Sequence, residues 1–161
     1  MVVKILGRED TLAYTTAVSV VKELGLTVAN KHFVSDLAIA PLLTEKLSIN
    51  EIAEPVLGTL IFHPSLLPYR RGASAIKHAY LSGDVITGVT WFWANDKLDG
   101  GDICEQEVVK IDYSLTPRQF YERHIIPALK RTLKRCLLDI SSNYIRRIPQ
   151  VESYATYDPK I

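Results

Sequence analysis

Gly58-Thr-Leu-Ile-Phe-His63-Pro-Ser-Leu-Leu-Pro-Tyr-Arg-Arg-Gly72 decides the architecture of this 161-residue chain. Its first half is an unbroken apolar run with β-branched and aromatic members, the pattern of a strand buried on both faces. The run stops at His63-Pro64. Pro64 and Pro68 each lack an N–H and have a fixed φ, so neither continues a ladder, and the residues between them form a stiff loop. A titratable imidazole is thereby placed at the carboxyl end of a core strand, the edge at which open α/β sheets bind ligands.

A second stretch ends the same way. Trp91-Phe-Trp-Ala-Asn95-Asp-Lys-Leu-Asp99-Gly-Gly-Asp102 runs from an apolar strand into a loop rich in carboxylate and glycine. His63 from one strand end and Asp99 from another supply what is needed to polarise a carbonyl and move a proton. Ser65 reads as a loop hydroxyl bonded to its own backbone, His78 as an ordinary helix residue and Asp102 as a turn residue.

Working outward, Val2 to Leu6 is a strand candidate ending at Gly7. Asp10 is placed to cap a helix over Thr11 to Leu24, and Gly25 to end it. Leu26 to Ala29 and Asp36 to Ala40 are two further strands, too close together for a full helix to cross between them. Ser48 caps a short helix over Ile49 to Val56, and Ala73 to Leu81 is another. Val85 to Trp93 and Ile103 to Ile111 are strands. Thr116-Pro-Arg-Gln119 combines a cap, a proline at the first helical position and a capping-box partner, so a long helix is expected from there to about Ile140. The tail from Arg146 is expected to wrap the surface. Gly7-Arg-Glu-Asp10 lacks the second and third glycines of a dinucleotide-binding loop.

Hydrophobic residues make up 47% of the chain and charged residues 23%, the balance of a water-soluble globular fold. Two cysteines form neither a disulfide framework nor a metal cluster, which fits a reducing cytoplasm. No apolar run is long enough to span a bilayer, and no signal-peptide pattern opens the chain. Residues 117–147 carry eight basic residues against Glu122 and Asp139, whereas residues 1–116 carry ten basic and fourteen acidic. A basic helix face of this kind either meets phosphate or offsets the acidic half, and the second reading is the ordinary one.

The His63-Pro-Ser-Leu-Leu-Pro and Arg71-Gly72 segments, with Leu98-Asp99-Gly-Gly-Asp102 placed so that Asp99 follows His63 by 36 residues, resemble the signature pair of the formyltransferases that use 10-formyltetrahydrofolate. That family includes methionyl-tRNA formyltransferase, sugar N-formyltransferases and the hydrolase domain of 10-formyltetrahydrofolate dehydrogenase. Arg71-Gly-Ala-Ser-Ala-Ile76 and Phe92-Trp-Ala-Asn-Asp96 are most similar to the hydrolase domain. The likeness covers roughly residues 34 to 160.

The resemblance implies a Rossmann-like α/β fold, a mostly parallel sheet with helices on both faces, formed as one domain over residues 1–161 with a compressed front half. It implies 10-formyltetrahydrofolate as formyl donor, a small-molecule amine as acceptor and no metal. His63 is expected to stabilise the oxyanion, and Asp99 to orient it or accept a proton. Leu42, Leu43 and Leu47 on one loop, and Ala94, Asn95 and Asp96 on another, are expected to flank the pteridine, though the three leucines read equally well as core. The extra C-terminal barrel of tRNA-specific members has no counterpart here, which argues against nucleic acid as acceptor. Most members carry Asn where this chain has Ile61, an exchange shared with the dehydrogenase's hydrolase domain. The alternatives are therefore hydrolysis to formate and tetrahydrofolate, or folate binding with weak catalysis.

Overall fold

The computed structural model describes residues 1–30 and 34–161. In chain order its elements are β1 (Val2–Ile5), α1 (Leu12–Glu23), β2 (Thr27–Val28), β3 (Leu37–Ala40), α2 (Ile49–Ala53), β4 (Thr59–His63), β5 (Arg71–Gly72), α3 (Ala75–Ser82), β6 (Ile86–Trp93) and β7 (Ile103–Lys110). They are followed by α4 (Pro117–Phe120), a π-helical turn (Tyr121–Ile125), α5 (Ile126–Ser141) and β8 (Tyr157–Asp158).

Six strands form one mixed sheet in the order β2-β1-β3-β4-β6-β7. The first four are mutually parallel; β6 runs antiparallel to β4, and β7 antiparallel to β6. The Rossmann-like expectation holds for the parallel part; the long strand Ile86–Trp93 is the one antiparallel member, placed between β4 and the edge strand β7. As the short spacing predicts, α1 is the only helix before β3 among the described residues.

Register separates the two faces of the sheet. Leu60 pairs with Trp93, Ile61 with Phe92 and His63 with Thr90. Strand side chains alternate, so Leu60, Phe62, Trp91 and Trp93 point one way and Ile61, His63 and Phe92 the other. The first face is the core. There Val3, Ile5, Leu37, Ile39, Leu60, Phe62, Val89 and Trp91 pack under Ala17, Val20 and Val21 of α1 and Leu129, Leu133 and Leu137 of α5. Phe62 and Trp91 lie 5.2 Å apart, and the Trp91 indole N–H donates to Thr132 Oγ1 at 3.0 Å, so the largest buried ring leaves no orphan donor. The second face is covered by α2, whose Ile52 carbonyl accepts from Thr59 Oγ1, and by the Pro64–Arg70 loop.

Helix ends follow local chemistry. Thr11, not Asp10, caps α1 by accepting from Tyr14 N–H, because the Asp10 carboxylate is taken by Arg8. Ser48 with Glu51, and Thr116 with Gln119, form capping boxes. Helix α2 ends at Ala53, short of Val56: Glu54 keeps helical geometry, but Pro55 has no N–H with which to continue the ladder. The long C-terminal helix is not regular. Pro127 has no N–H and would clash with a carbonyl one turn back, and the chain widens at that point so that Ile126 N–H reaches Tyr121 carbonyl. Part of the charge on the basic face of α5 is answered: Arg131 and Arg135 share Glu107 and Lys134 meets Glu23, while beyond the helix Arg146 binds Glu105 and Asp139. Burial pushes the Glu107 carboxyl up, but the two arginines outweigh it and hold the group below its ordinary value.

The tail does more than wrap the surface. Tyr157 and Asp158 pair with Arg71 and Gly72 as a two-stranded parallel ribbon, and Glu152 and Tyr157 receive hydrogen bonds from the buried Arg71 guanidinium. No helix of the described residues is long and apolar enough to cross a membrane.

Two expectations follow. Leu133→Ala, in the sealed layer between α5 and the sheet, should cost about 2–5 kcal/mol in a denaturant titration, while Leu138→Ala on the open face should stay within about 0.5 kcal/mol. Arg71 hydrogen bonds hold the Glu152 carboxyl below its ordinary value, so the docking it contributes is complete at neutral pH and is lost as pH falls through that lowered value. Hydrogen-exchange protection of the Arg71 amide, which donates to Thr156 carbonyl, should decline in acid, and Glu152→Gln should flatten that decline.

Candidate active site

β4 delivers His63 to the second face of the sheet, at its carboxyl end and 7% exposed. The ring is oriented by its Nε2, 2.7 Å from the carbonyl of Arg70. A carbonyl only accepts, so Nε2 carries the proton and Nδ1 is left to face Asp99. Arg70 is itself immobilised in a left-handed conformation, φ +55°, with its N–H on Thr156 Oγ1 and its guanidinium on Asp84 and Asp158.

Asp99 arrives from the loop after β6. That loop is closed at its base by Trp93 N–H donating to Asp102 carbonyl at 2.8 Å. Gly101 is required there, because a Cβ would fall onto the Trp93 carbonyl. Asp99 adopts φ +49°, unusual for a residue with a side chain, and its Oδ2 accepts the Gly72 N–H at 2.7 Å. Gly72 has φ +100° and lies against the Asp158 carbonyl, so no other residue presents that N–H without displacing the tail. The His63 Nδ1 to Asp99 Oδ2 distance is 3.7 Å, too long for a hydrogen bond and short enough for one inserted polar atom to touch both. The side chains are 9% and 15% exposed, so charge developing between them is only weakly screened by water.

His63 and Asp99 share a cavity of about 370 Å³, within the range that holds a small organic ligand. Leu43, Leu47, Ile52, Ile61 and Phe92 form apolar walls, and Thr44, Glu45, Lys46, Asn95, Asp96 and Lys97 line the rest with His63 and Asp99. Of the expected residues, His63, Asp99, Leu43, Leu47, Asn95 and Asp96 therefore meet in one place. Leu42 and Ala94 do not line the cavity. Leu42 is 37% exposed with its carbonyl against Gly7, and Ala94 is tied by its N–H to Thr59 carbonyl as β6 ends. Leu42 lies in the bend that follows β3, and Leu43 just after it lines the cavity, a difference that apolar composition alone does not reveal. Asn95 Oδ1 accepts Lys97 N–H, so its amide nitrogen remains available to a ligand. Ser65 Oγ donates to Tyr69 carbonyl and is structural, as read from the sequence. His78 meets the Pro159 carbonyl away from the cavity.

Sequence reading missed the groups that hold this pair in place: the Arg70 carbonyl, the Gly72 N–H, and Gln150, whose amide donates to the carbonyls of Asp99 and Gly101. The first two are backbone atoms and leave no mark in residue type. Gln150 lies in a polar tail with no periodicity. Among the described residues no group of three or more His, Cys, Asp or Glu is arranged to hold a metal ion.

Known proteins resemble this chain in sequence and in fold. The family model described as Formyl transferase matches residues 18–130. Cytosolic 10-formyltetrahydrofolate dehydrogenase of Xenopus tropicalis is 36% identical over 129 residues, which cover 80% of this chain and 14% of that protein. HypX from Aquifex aeolicus, solved in complex with tetrahydrofolic acid, superposes on 99% of this chain and 29% of its own with a TM-score of 0.87 at 20% identity. The formyltransferase PseJ from Anoxybacillus kamchatkensis, solved with a formamido sugar nucleotide and tetrahydrofolate, superposes on 99% of this chain and 86% of its own with a TM-score of 0.78 at 22% identity. The chain thus spans a small part of the dehydrogenase and of HypX, yet the matched segment contains both His63 and Asp99; by the extent of that match, it belongs to the formyl transferase family.

Proposed function

We infer that this chain takes the formyl group from 10-formyltetrahydrofolate and passes it to an amine bound beside Asp99. One observation carries the reading: His63 Nδ1 and Asp99 Oδ2 face each other at 3.7 Å on the wall of a 370 Å³ cavity, both held by backbone groups. Support for a folate donor comes from the cavity's chemistry, since Leu43, Leu47, Ile52 and Phe92 offer apolar cover to a flat ring while Asn95, Asp96 and Thr44 offer polar groups to its edge. A folate-bound neighbour of the same fold is consistent with it. The two buried free cysteines suit a reducing, cytoplasmic setting.

The reaction is an acyl transfer that needs no covalent enzyme intermediate. As the amine nitrogen forms its bond to the formyl carbon, Asp99 accepts its proton. The carbonyl π-electrons move onto oxygen, and the oxyanion is met by His63. With Nε2 committed to Arg70, the meeting atom is Nδ1, which donates when the ring is an imidazolium; the Asp99 carboxylate is its counter-charge before the amine proton moves, and the oxyanion takes that place afterwards. Collapse breaks the bond from the formyl carbon to N10, and N10 takes up the proton that Asp99 removed. The products are the N-formylated amine and tetrahydrofolate.

Water in place of the amine gives formate and tetrahydrofolate by the same steps. Ile61 favours this second reading: it lines the cavity where an amide side chain would add an oxyanion donor, and the wall is left apolar. An acceptor needing that extra stabilisation is slowed by about two to three orders of magnitude.

His63→Ala and Asp99→Asn should each lower kcat/KM by at least about 100-fold with the fold retained, because His63 sits at a strand end and Asp99 in a loop, both outside the apolar layer under α1 and α5. Near-native turnover in either variant removes the mechanism. Calorimetry with a stable 10-formyl-folate mimic tests donor binding separately, and absorbance change without added amine separates hydrolysis from transfer. Ile61→Asn should raise the ratio of formylated amine to formate; an unchanged ratio shows that this position does not set the acceptor.

A further inference from the structure

We propose that Gln150 is a positioning residue that holds the Asp99 carboxylate in its working place. This rests on the proton-accepting role given to Asp99 above. Gln150 does not line the cavity and is 9% exposed. Every hydrogen-bonding capacity of its amide is used: Nε2 donates to Asp99 carbonyl at 2.8 Å and Gly101 carbonyl at 2.7 Å, while Oε1 accepts from Arg71 Nε at 3.2 Å and Nη2 at 2.9 Å. Arg71 is 1% exposed and is fixed from its other side by Glu152 and Tyr157.

These bonds close a ring. Gln150 holds the Asp99 backbone, the Arg71 side chain holds Gln150, and the residue after Arg71, Gly72, holds the Asp99 carboxylate through its N–H. Asp99 is thus gripped at both ends by groups that converge on one buried guanidinium. Its φ of +49° lies in the left-handed region, which residues with a side chain populate sparsely and aspartate more readily than most, so the contacts around it select that conformation rather than force it. Releasing the Asp99 and Gly101 carbonyls removes that selection, and rotation of the backbone carries the carboxylate away from Gly72 N–H and from its 3.7 Å approach to His63. A displacement on the order of 1 Å costs about 100-fold in rate.

Gln150→Glu separates this role from simple docking of the tail. Its carboxylate still accepts from Arg71, so the tail stays bound, but it cannot donate to the two carbonyls. The full chain is expected to lose about 100-fold in kcat in both Gln150→Glu and Gln150→Ala, with affinity for the 10-formyl-folate mimic within about threefold of wild type. Hydrogen-exchange protection of the Arg71 amide is expected to persist in Gln150→Glu. In the same samples the Gly72 amide proton, bonded to a carboxylate in the wild type, is expected to shift upfield. A wild-type kcat in both variants, or a parallel loss of kcat, mimic affinity and Arg71 protection in Gln150→Glu, overturns the proposal. Should Asp99→Asn turn over like wild type, the chemistry assigned to Asp99 falls instead. The Gly72 amide shift then decides the positioning on its own: an unmoved resonance in both Gln150 variants refutes it, and a moved one sustains it.

Discussion

A single hydrogen bond, from Gly72 N–H to the Asp99 carboxylate at 2.7 Å, joins the loop that follows β4 to the loop that follows β6. Without it the two strand ends would merely be neighbours. With it, His63 and Asp99 become walls of one cavity at a separation suited to a reacting group. The bond depends on conformations that side chains ordinarily avoid: Arg70, Gly72 and Asp99 all have positive φ. Such residues persist only where surrounding contacts outnumber the alternatives, and here the C-terminal tail supplies them. Thr156 fixes Arg70, the ribbon of β5 and β8 fixes Gly72, and Gln150 fixes the Asp99 loop.

The sheet divides its labour between its faces. One face carries α1 and α5 over a continuous apolar layer and supplies stability. The other carries short α2 and the proline-bounded loop Pro64–Arg70, and holds the chemistry. Because strand side chains alternate, neighbouring residues turn to opposite faces: Phe62 packs its ring against Trp91 in the core, while Ile61 and His63 project on the cavity side. The site is therefore rigid because it is built on strands whose reverse faces are sealed. It can also vary, since the loops that complete it lie outside that core. The Asn95 amide, the Lys46 and Lys97 ammonium groups and the Glu45 and Asp96 carboxylates all belong to such loops.

The charge of the C-terminal helix shows how composition and structure differ in what they say. A run of basic residues raises the question of phosphate. In the fold, Arg131 and Arg135 meet Glu107 on β7, Lys134 meets Glu23 on α1 and Arg146 meets Glu105, so much of the charge is answered by the acidic part of the chain. The feature is a seam between α5 and the sheet edge.

Much of this molecule was legible from residue order, because the signals concerned are local. Apolar runs ending in proline or glycine marked the strands, a cap at Ser48 and a capping box at Thr116 marked the starts of α2 and α4, and two strand ends carrying His63 and Asp99 marked the site. The exceptions each have a local competitor that order does not rank: Arg8 took Asp10 from the helix cap, and Pro127 bent the long helix into a π turn. What only the tertiary structure decided is which nitrogen of His63 faces the cavity, which leucines of one loop reach it, and that a polar tail fifty residues on holds the Asp99 backbone. Those outcomes rest on backbone carbonyls, amides and positive φ angles brought together across the chain. Every residue type except proline carries the same main-chain donor and acceptor, so their pairing is set by three-dimensional approach.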